Sequence, residues 1–176
     1  MSSLPAPADT ADLVVVGSGI VGLGAAYAAV RRGLRVIVVD RTDARVGATV
    51  RNFGHLCIGA QTGRARGFAD ASREIWMRLA ADAGFWLRPS GTLIAAQHAD
   101  ELAVLERASV GTDMRMLSVE ALRQRAPLRA GSIVGGALLA SDMQVNPRTA
   151  ASAIARHLSD MGVEFRFRTA ATAVSG

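Results

Sequence analysis

Apolar and polar positions fall in uneven blocks along the chain, and the sharpest block lies near its start. Leu13 to Val16 is a short apolar run, followed by a glycine bend at Gly17, Gly19 and Gly22, an alanine-rich stretch to about Arg32, and a second apolar run from Arg35 to Val39. Short apolar runs bounded by glycine predict buried strands, and the stretch between them predicts a helix begun near Ile20 and stopped at Gly33. Beyond Asp40 the pattern fades. Arg41 to Gly63 is polar, carries glycine, and is too long for an ordinary loop, which marks it as functional.

Helical spacing returns from Arg64 to Ala83, with Phe68, Ala71, Ile75 and Leu79 on one face. Strands are predicted at Phe85–Leu87 and Thr92–Ala96, joined through the turn signal Pro89-Ser90-Gly91. Two short helices follow. Asp100–Ala108 turns Leu102 and Leu105 inward, and Val119–Arg125 starts at an N-cap, Ser118, and stops before Pro127. Ile133–Ala140 reads as a strand. Asn146-Pro147 opens a helix to about Met161, with Pro in the first turn and Gly162 ending it, and Val163–Phe167 is a strand. The residues up to Gly176 lie in or just after a further strand. Met1 to Ala11, rich in Ser, Pro and Ala, is expected to be a mobile tail.

Each residue type in the first block has a physical task. Gly17 permits the tight turn out of the strand, Gly19 lets bare backbone approach a diphosphate, and Gly22 lets the helix pack close on the strand. Ala26, one turn on, continues that contact. The N-terminal amides of the helix then face an anion. Asp40, about twenty residues beyond the glycines, is an acceptor-only carboxylate suited to both ribose hydroxyls, and it would repel a 2′-phosphate. The block therefore reads as a dinucleotide site that disfavours NADP. The uncharged run Leu13–Val30 is long enough for a membrane span, but its glycines break the apolar density and a second apolar strand follows. A secretory signal is not expected either, because Asp9 and Asp12 precede the run without any basic residue.

Composition narrows the remaining classes. Half of the residues are hydrophobic and 20% are charged, so a core of ordinary size is expected. Cys57 is the single cysteine. It excludes an internal disulfide and a cysteine cluster for zinc, and reads as a small buried hydrophobe. His55, His98 and His157 lie far apart without metal-ligand spacing, so no metal is expected. The formal charge of +5 comes from 20 basic residues, all of them arginine and scattered along the chain. No basic block or aromatic interleaving supports nucleic-acid binding. A cytoplasmic, membrane-free enzyme segment is the expectation.

Between Asp40 and Pro147 about a hundred residues of mixed helix and strand interrupt the nucleotide unit, which is how a second domain is built into a flavin-binding fold. Three stretches carry a resemblance: the unit through Asp40, the connection Arg45-Val-Gly-Ala-Thr-Val-Arg-Asn-Phe-Gly-His55, and Asp142-Met-Gln-Val-Asn-Pro-Arg148 with the helix and strand after it. Together they resemble the D-amino-acid oxidase, glycine oxidase and sarcosine oxidase family of FAD-dependent amine oxidoreductases. The Arg51-Asn52-Phe53-Gly54 run is most similar to a branch associated with aminophosphonate breakdown.

The resemblance implies an α/β fold: a Rossmann-like FAD-binding domain, a parallel sheet with flanking helices, interrupted by part of an α+β substrate domain. It divides the chain into a tail (1–11), a first FAD-binding part (12–63), an inserted segment (64–140) and a return to the FAD-binding domain (141–176). It also implies that this is the amino-terminal part of a longer protein. Gly17, Gly19, Ile20 and Gly22 would hold the FAD diphosphate, Asp40 the adenosine ribose, and Arg41 the adenine. Ala48, Thr49, Asn52 and Gly54 would approach the diphosphate, ribityl chain and flavin ring. The backbone amide of Ala171, on the last strand, would meet adenine. Turn chemistry explains Thr49 and Asn52 equally well. The implied reaction oxidises the C–N bond of a small amine or amino acid by hydride transfer to flavin N5, with dioxygen or another acceptor taking the electrons. Arg51 and His55 are the nearest candidates for tuning the flavin or meeting an anionic substrate, and no catalytic residue is assigned. Two alternatives stay open: a flavin monooxygenase or quinone-linked dehydrogenase, and a non-catalytic dinucleotide-binding fragment.

Overall fold

Both early valine-rich runs form parallel strands, but only Val36–Val39 is buried along its whole length as expected; in Leu13–Val16 Val15 is buried while Val14 is 54% and Val16 67% exposed. In a computed structural model, which describes residues 10–43, 47–127 and 131–173, the elements run in chain order as follows. The first are β1 (Leu13–Val16), α1 (Ile20–Val30), β2 (Val36–Val39), a 3-10 turn (Ala48–Val50) and β3 (His55–Leu56). Next come α2 (Gly63–Ala83), β4 (Leu87–Arg88), β5 (Thr92–Ala96), α3 (Ala99–Ser109), β6 (Met114–Leu117) and α4 (Val119–Arg125). The last are β7 (Gly135–Leu139), β8 (Met143–Val145), α5 (Pro147–Asp160) and β9 (Glu164–Arg166).

The chain divides into two compact units. The first comprises residues 1–53, 82–85 and 147–176, and the second residues 54–81 and 86–146. In the first unit β1, β2 and β9 form a parallel sheet with β2 in the middle. Helices α1 and α5 pack together. Their buried residues, Leu23, Ala26 and Tyr27 on α1 and Ala150, Ala151, Ile154 and Leu158 on α5, form the core with Val15, Val36, Ile37 and Val38. Glycines stop both helices where expected, Gly33 at φ +79° and Gly162 at φ +94°.

The second unit holds two antiparallel sheets, ordered β3-β8-β4 and β5-β7-β6. Helices α3 and α4 contact the second sheet, and Leu122 of α4 is fully buried. Close packing there requires Gly136, where a Cβ would stand 2.0 Å from the carbonyl oxygen of Ile94 and 3.0 Å from Leu122. Ser118 caps α4 as expected, accepting a hydrogen bond from the Ala121 amide. No helix among the described residues is long and apolar enough to cross a membrane.

Several expectations are corrected. Arg41–Gly63 is not patternless, since it contains the 3-10 turn and β3. Strands β6 and β8 lie where none was expected, because Met-Arg-Met-Leu and Met-Gln-Val are short and take their conformation from pairing with β7 and with β3 and β4. The apolar face of α2 is not a core face: Leu79 is buried but Phe68 is 69% exposed. Phe85 is buried outside any strand, and the strand there is Leu87–Arg88. No further strand follows β9 within residues 167–173, so Ala171 lies in irregular chain. The cause is local: Arg168 adopts φ 54°, and the Thr169 amide then bonds the Asp40 carbonyl. The expected tail falls largely outside the described residues, as do Arg45 and Val46 of the connection.

Candidate dinucleotide site

The first strand delivers the chain into its bend at the sheet's carboxyl end. Gly17 takes φ +100°, a conformation that side chains other than glycine rarely adopt, and its amide bonds the Val39 carbonyl at 2.8 Å. Gly19 is the N-cap of α1 and supplies no side-chain cap, and the first turn of that helix holds no acid. Val21 in the same turn is 84% exposed. The positive end of the helix therefore opens to solvent rather than onto a capping group of its own, which suits an incoming anion. Thr49 borders this end, its Oγ1 accepting a hydrogen bond from the Ile20 amide at 2.9 Å and lying 3.2 Å from where a Cβ on Gly19 would stand.

Asp40 follows directly on β2 and its carboxylate faces the bend. Oδ2 accepts hydrogen bonds from the Ser18 amide at 2.8 Å and the Ser18 hydroxyl at 2.7 Å. Oδ1 accepts from the amide and the hydroxyl of Thr42, both at 2.9 Å. Burial by itself would raise this carboxyl's pKa. The backbone amides of Ser18 and Thr42, and then their hydroxyls, outweigh it and hold the group well below the usual carboxylate range. The stability this contributes is full above the unfolded-state pKa of about 4 and is lost as pH falls through the depressed folded-state value. The Tm gap between the native chain and Asp40→Asn should therefore be constant from neutral pH down to about 5 and narrow below about 4. Thermal melts across that range check it, and a gap that widened on acidification would refute the assignment.

The other expected site residues are placed as follows. Ile20 opens α1, and Ala48 and Thr49 form the 3-10 turn. Asn52 closes that turn, its side-chain amide donating to the carbonyls of Ala48 and Thr49 at 2.9 Å each. Arg41 is exposed just past Asp40, while Asp40 N bonds Arg166 O and Thr169 N bonds Asp40 O, so the segment leading to Ala171 runs alongside. Gly54 belongs to the second unit, where its carbonyl accepts from the Val145 amide. Gly17, Gly19, Ile20, Gly22, Asp40 and Thr49 are thus brought together in the first unit.

The second unit holds a polar cluster that linear spacing concealed. Asp142 is fully buried. Its Oδ1 accepts from the amides of Ile58 at 2.8 Å and Gly59 at 2.7 Å, and its Oδ2 lies 2.8 Å from His55 Nε2. Thr92 Oγ1 lies 3.0 Å from that same ring nitrogen. Burial would raise the Asp142 carboxyl, but the Gly59 amide, His55, Thr92 and the Ile58 amide outweigh it and lower its pKa. Cys57 is half-buried rather than buried as expected, and it stands in the same cluster.

A parallel β-α-β unit whose glycine bend meets a carboxylate on the neighbouring strand defines a dinucleotide-binding protein. Similarity to known proteins specifies which kind. Residues 12–176 match the family described as DAO, FAD dependent oxidoreductase. The chain belongs to this FAD-dependent oxidoreductase family. One component of the anaerobic glycerol-3-phosphate dehydrogenase of Escherichia coli is 46% identical over 52 residues, 30% of this chain and 10% of that protein. One component of the opine oxidase of Rhizobium meliloti is 25% identical over 173 residues, covering 88% of this chain and 47% of that protein. Among solved structures, L-amino acid deaminase from Proteus vulgaris with its specific insertion sequence deleted is similar at a TM-score of 0.80 and 22% identity. That similarity covers 96% of this chain and 47% of the deaminase, so the chain spans about half the length of the proteins it matches throughout.

Proposed function

We propose that the whole protein oxidises the C–N bond of a small amine or amino acid with FAD, and that this chain supplies the nucleotide-binding part of its site. The observation that carries the reading is the bend itself: glycine backbone at Gly17, Gly19 and Gly22, a helix start whose N-cap residue, Gly19, brings no side chain, and Asp40 facing them. In this reading Gly17, Gly19, Ile20 and Gly22 hold the diphosphate, and Asp40 binds the ribose. Arg41 and the Ala171 amide border the adenine, and Ala48, Thr49, Asn52 and Gly54 lie toward the ribityl chain and flavin. Both oxygens of Asp40 already accept two hydrogen bonds. Ribose hydroxyls would take the places of the Ser18 and Thr42 hydroxyls, leaving the two backbone amides to hold the carboxylate in position. Bound FAD supplies a two-electron acceptor at N5 for the hydride beside the amine, and dioxygen or another acceptor regenerates it.

The opine oxidase and L-amino acid deaminase names support an amine or amino-acid substrate, and Arg51-Asn52-Phe53-Gly54 keeps aminophosphonates in the test panel. A second reading, oxidation of an alcohol such as glycerol 3-phosphate, draws on the higher local identity to the glycerol-3-phosphate dehydrogenase. The deciding experiment incubates the flavin-loaded full-length protein anaerobically with each substrate and follows bleaching of the flavin, then admits air and assays peroxide. Bleaching by amines and not by glycerol 3-phosphate is expected. Bleaching by glycerol 3-phosphate alone overturns the reading, as does failure to retain flavin. In the same assay Asp40→Ala should weaken FAD retention at least about tenfold, the loss of one or two charge-assisted hydrogen bonds.

A further inference from the structure

We propose that His55 Nε2, Cys57 Sγ and Asp142 Oδ2 form a binding site for one divalent cation of the zinc class. A ring nitrogen of His55, the Cys57 sulfur and a carboxylate oxygen of Asp142 lie within 4.8 Å of one another, and Nε2 stands 2.8 Å from Oδ2, although 87 residues separate His55 from Asp142. The convergence is built by the fold. The antiparallel register pairs His55 with Gln144 and Leu56 with Met143, which fixes His55 beside the turn that carries Asp142. Cys57 follows directly on β3, two residues beyond His55, and its sulfur falls within reach of the same cluster.

The groups around the donors are arranged as in a ligated site. Asp142 Oδ1 is held by two successive backbone amides, which turns Oδ2 toward His55. Ligating carboxylates are oriented by such outer hydrogen bonds. The Gln61 side-chain amide donates to Cys57 Sγ at 3.7 Å, so the sulfur is already used as an acceptor. Thr92 Oγ1, 3.0 Å from His55 Nε2, is placed as a fourth donor. His55 and Cys57 are half-buried while Asp142 is sealed, which gives a cation a way in from one side.

The donor chemistry selects the ion. One imidazole, one thiolate and one carboxylate suit a borderline cation held at about 2.0–2.3 Å, whereas calcium and magnesium take oxygen donors. Tetrahedral placement at those lengths sets donor separations of about 3.5 Å, so the 2.8 Å pair of His55 and Asp142 opens by under about 1 Å and the sulfur closes by up to about 1.3 Å. Binding releases the Cys57 thiol proton and requires the imidazole to carry its proton on Nδ1. A dication also compensates the negative charge of a carboxylate that solvent does not reach.

The test uses Co2+ as the probe on the chelator-treated full chain, read in the red beyond flavin absorption. One equivalent should give the intense bands of four-coordinate Co2+, and Zn2+ should abolish them. Cys57 is the chain's single cysteine, so Cys57→Ser should lose most of that intensity while melting normally in the absence of metal. Saturating Zn2+ should also slow iodoacetamide alkylation of Cys57, followed by mass spectrometry, by roughly tenfold or more, because the thiolate is both nucleophile and ligand. The proposal is overturned by any one of three results: no red absorption at one equivalent, identical spectra for the native chain and Cys57→Ser, or alkylation indifferent to Zn2+.

Discussion

Gly22→Ala should abolish FAD retention while Gly24→Ala, two residues along the same helix, should leave it intact and raise Tm slightly. A Cβ on Gly22 would stand 2.0 Å from the Gly17 carbonyl oxygen, 3.1 Å from its carbon and 3.2 Å from Val15 Cγ1. Two of those atoms are backbone, and Gly17 is anchored through its amide to Val39. Relief therefore requires α1 to move off the sheet, which costs about 3 kcal/mol. Because the anion-facing amides belong to the displaced helix end, FAD affinity should fall by roughly a hundredfold or more, about 2.7 kcal/mol. A Cβ on Gly24 meets nothing within 4 Å, so alanine there removes only backbone freedom of the unfolded chain, a gain of about 0.5–1 kcal/mol. Gel filtration with flavin absorbance, and melts of the two variants side by side, check both signs. Equal effects from the two substitutions would remove the close-packing argument for the bend.

The bend was legible in the sequence because every one of its constraints is local. Glycines at Gly17, Gly19 and Gly22 between two apolar runs admit one strand-turn-helix reading, and a buried parallel sheet writes itself as Val-Ile-Val-Val without alternation. The acid after the second run was legible for the same reason. Its neighbours were not: nothing in the spacing shows that Ser18 and Thr42 fill both oxygens of Asp40, since that depends on how β1 and β2 register. The failures in the second unit share a cause. Met114–Leu117 and Met143–Val145 have too few residues to carry a period and become strands only beside their partners. Phe68 and Ile75 keep helical spacing yet stay exposed, because periodicity shows which residues share a face and not what covers it. His55, Cys57 and Asp142 looked scattered along the chain, but β3 and β8 pairing places them together.

Asp142→Ala should be the most damaging single substitution in the second unit, costing about 3–5 kcal/mol, because it leaves two buried backbone donors without their acceptor. Truncation strips the acceptor from the Ile58 and Gly59 amides and from His55 together, at a carboxylate that solvent does not reach. An unsatisfied buried donor costs about 1–3 kcal/mol, so two amides alone account for most of the loss. For a chain of this size the corresponding drop in Tm is about 10 °C. Asp142→Asn should recover much of that, because its carbonyl oxygen can accept from both amides while its NH2 donates to a His55 ring carrying its proton on Nδ1. His55→Ala leaves the two amides bonded and should cost less than Asp142→Ala. Urea unfolding of chelator-treated protein orders the three variants free of any metal contribution. If Asp142→Ala cost no more than His55→Ala, the backbone amides would not be the main partners of the carboxylate, and its role as the anchor of residues 55–59 would fail.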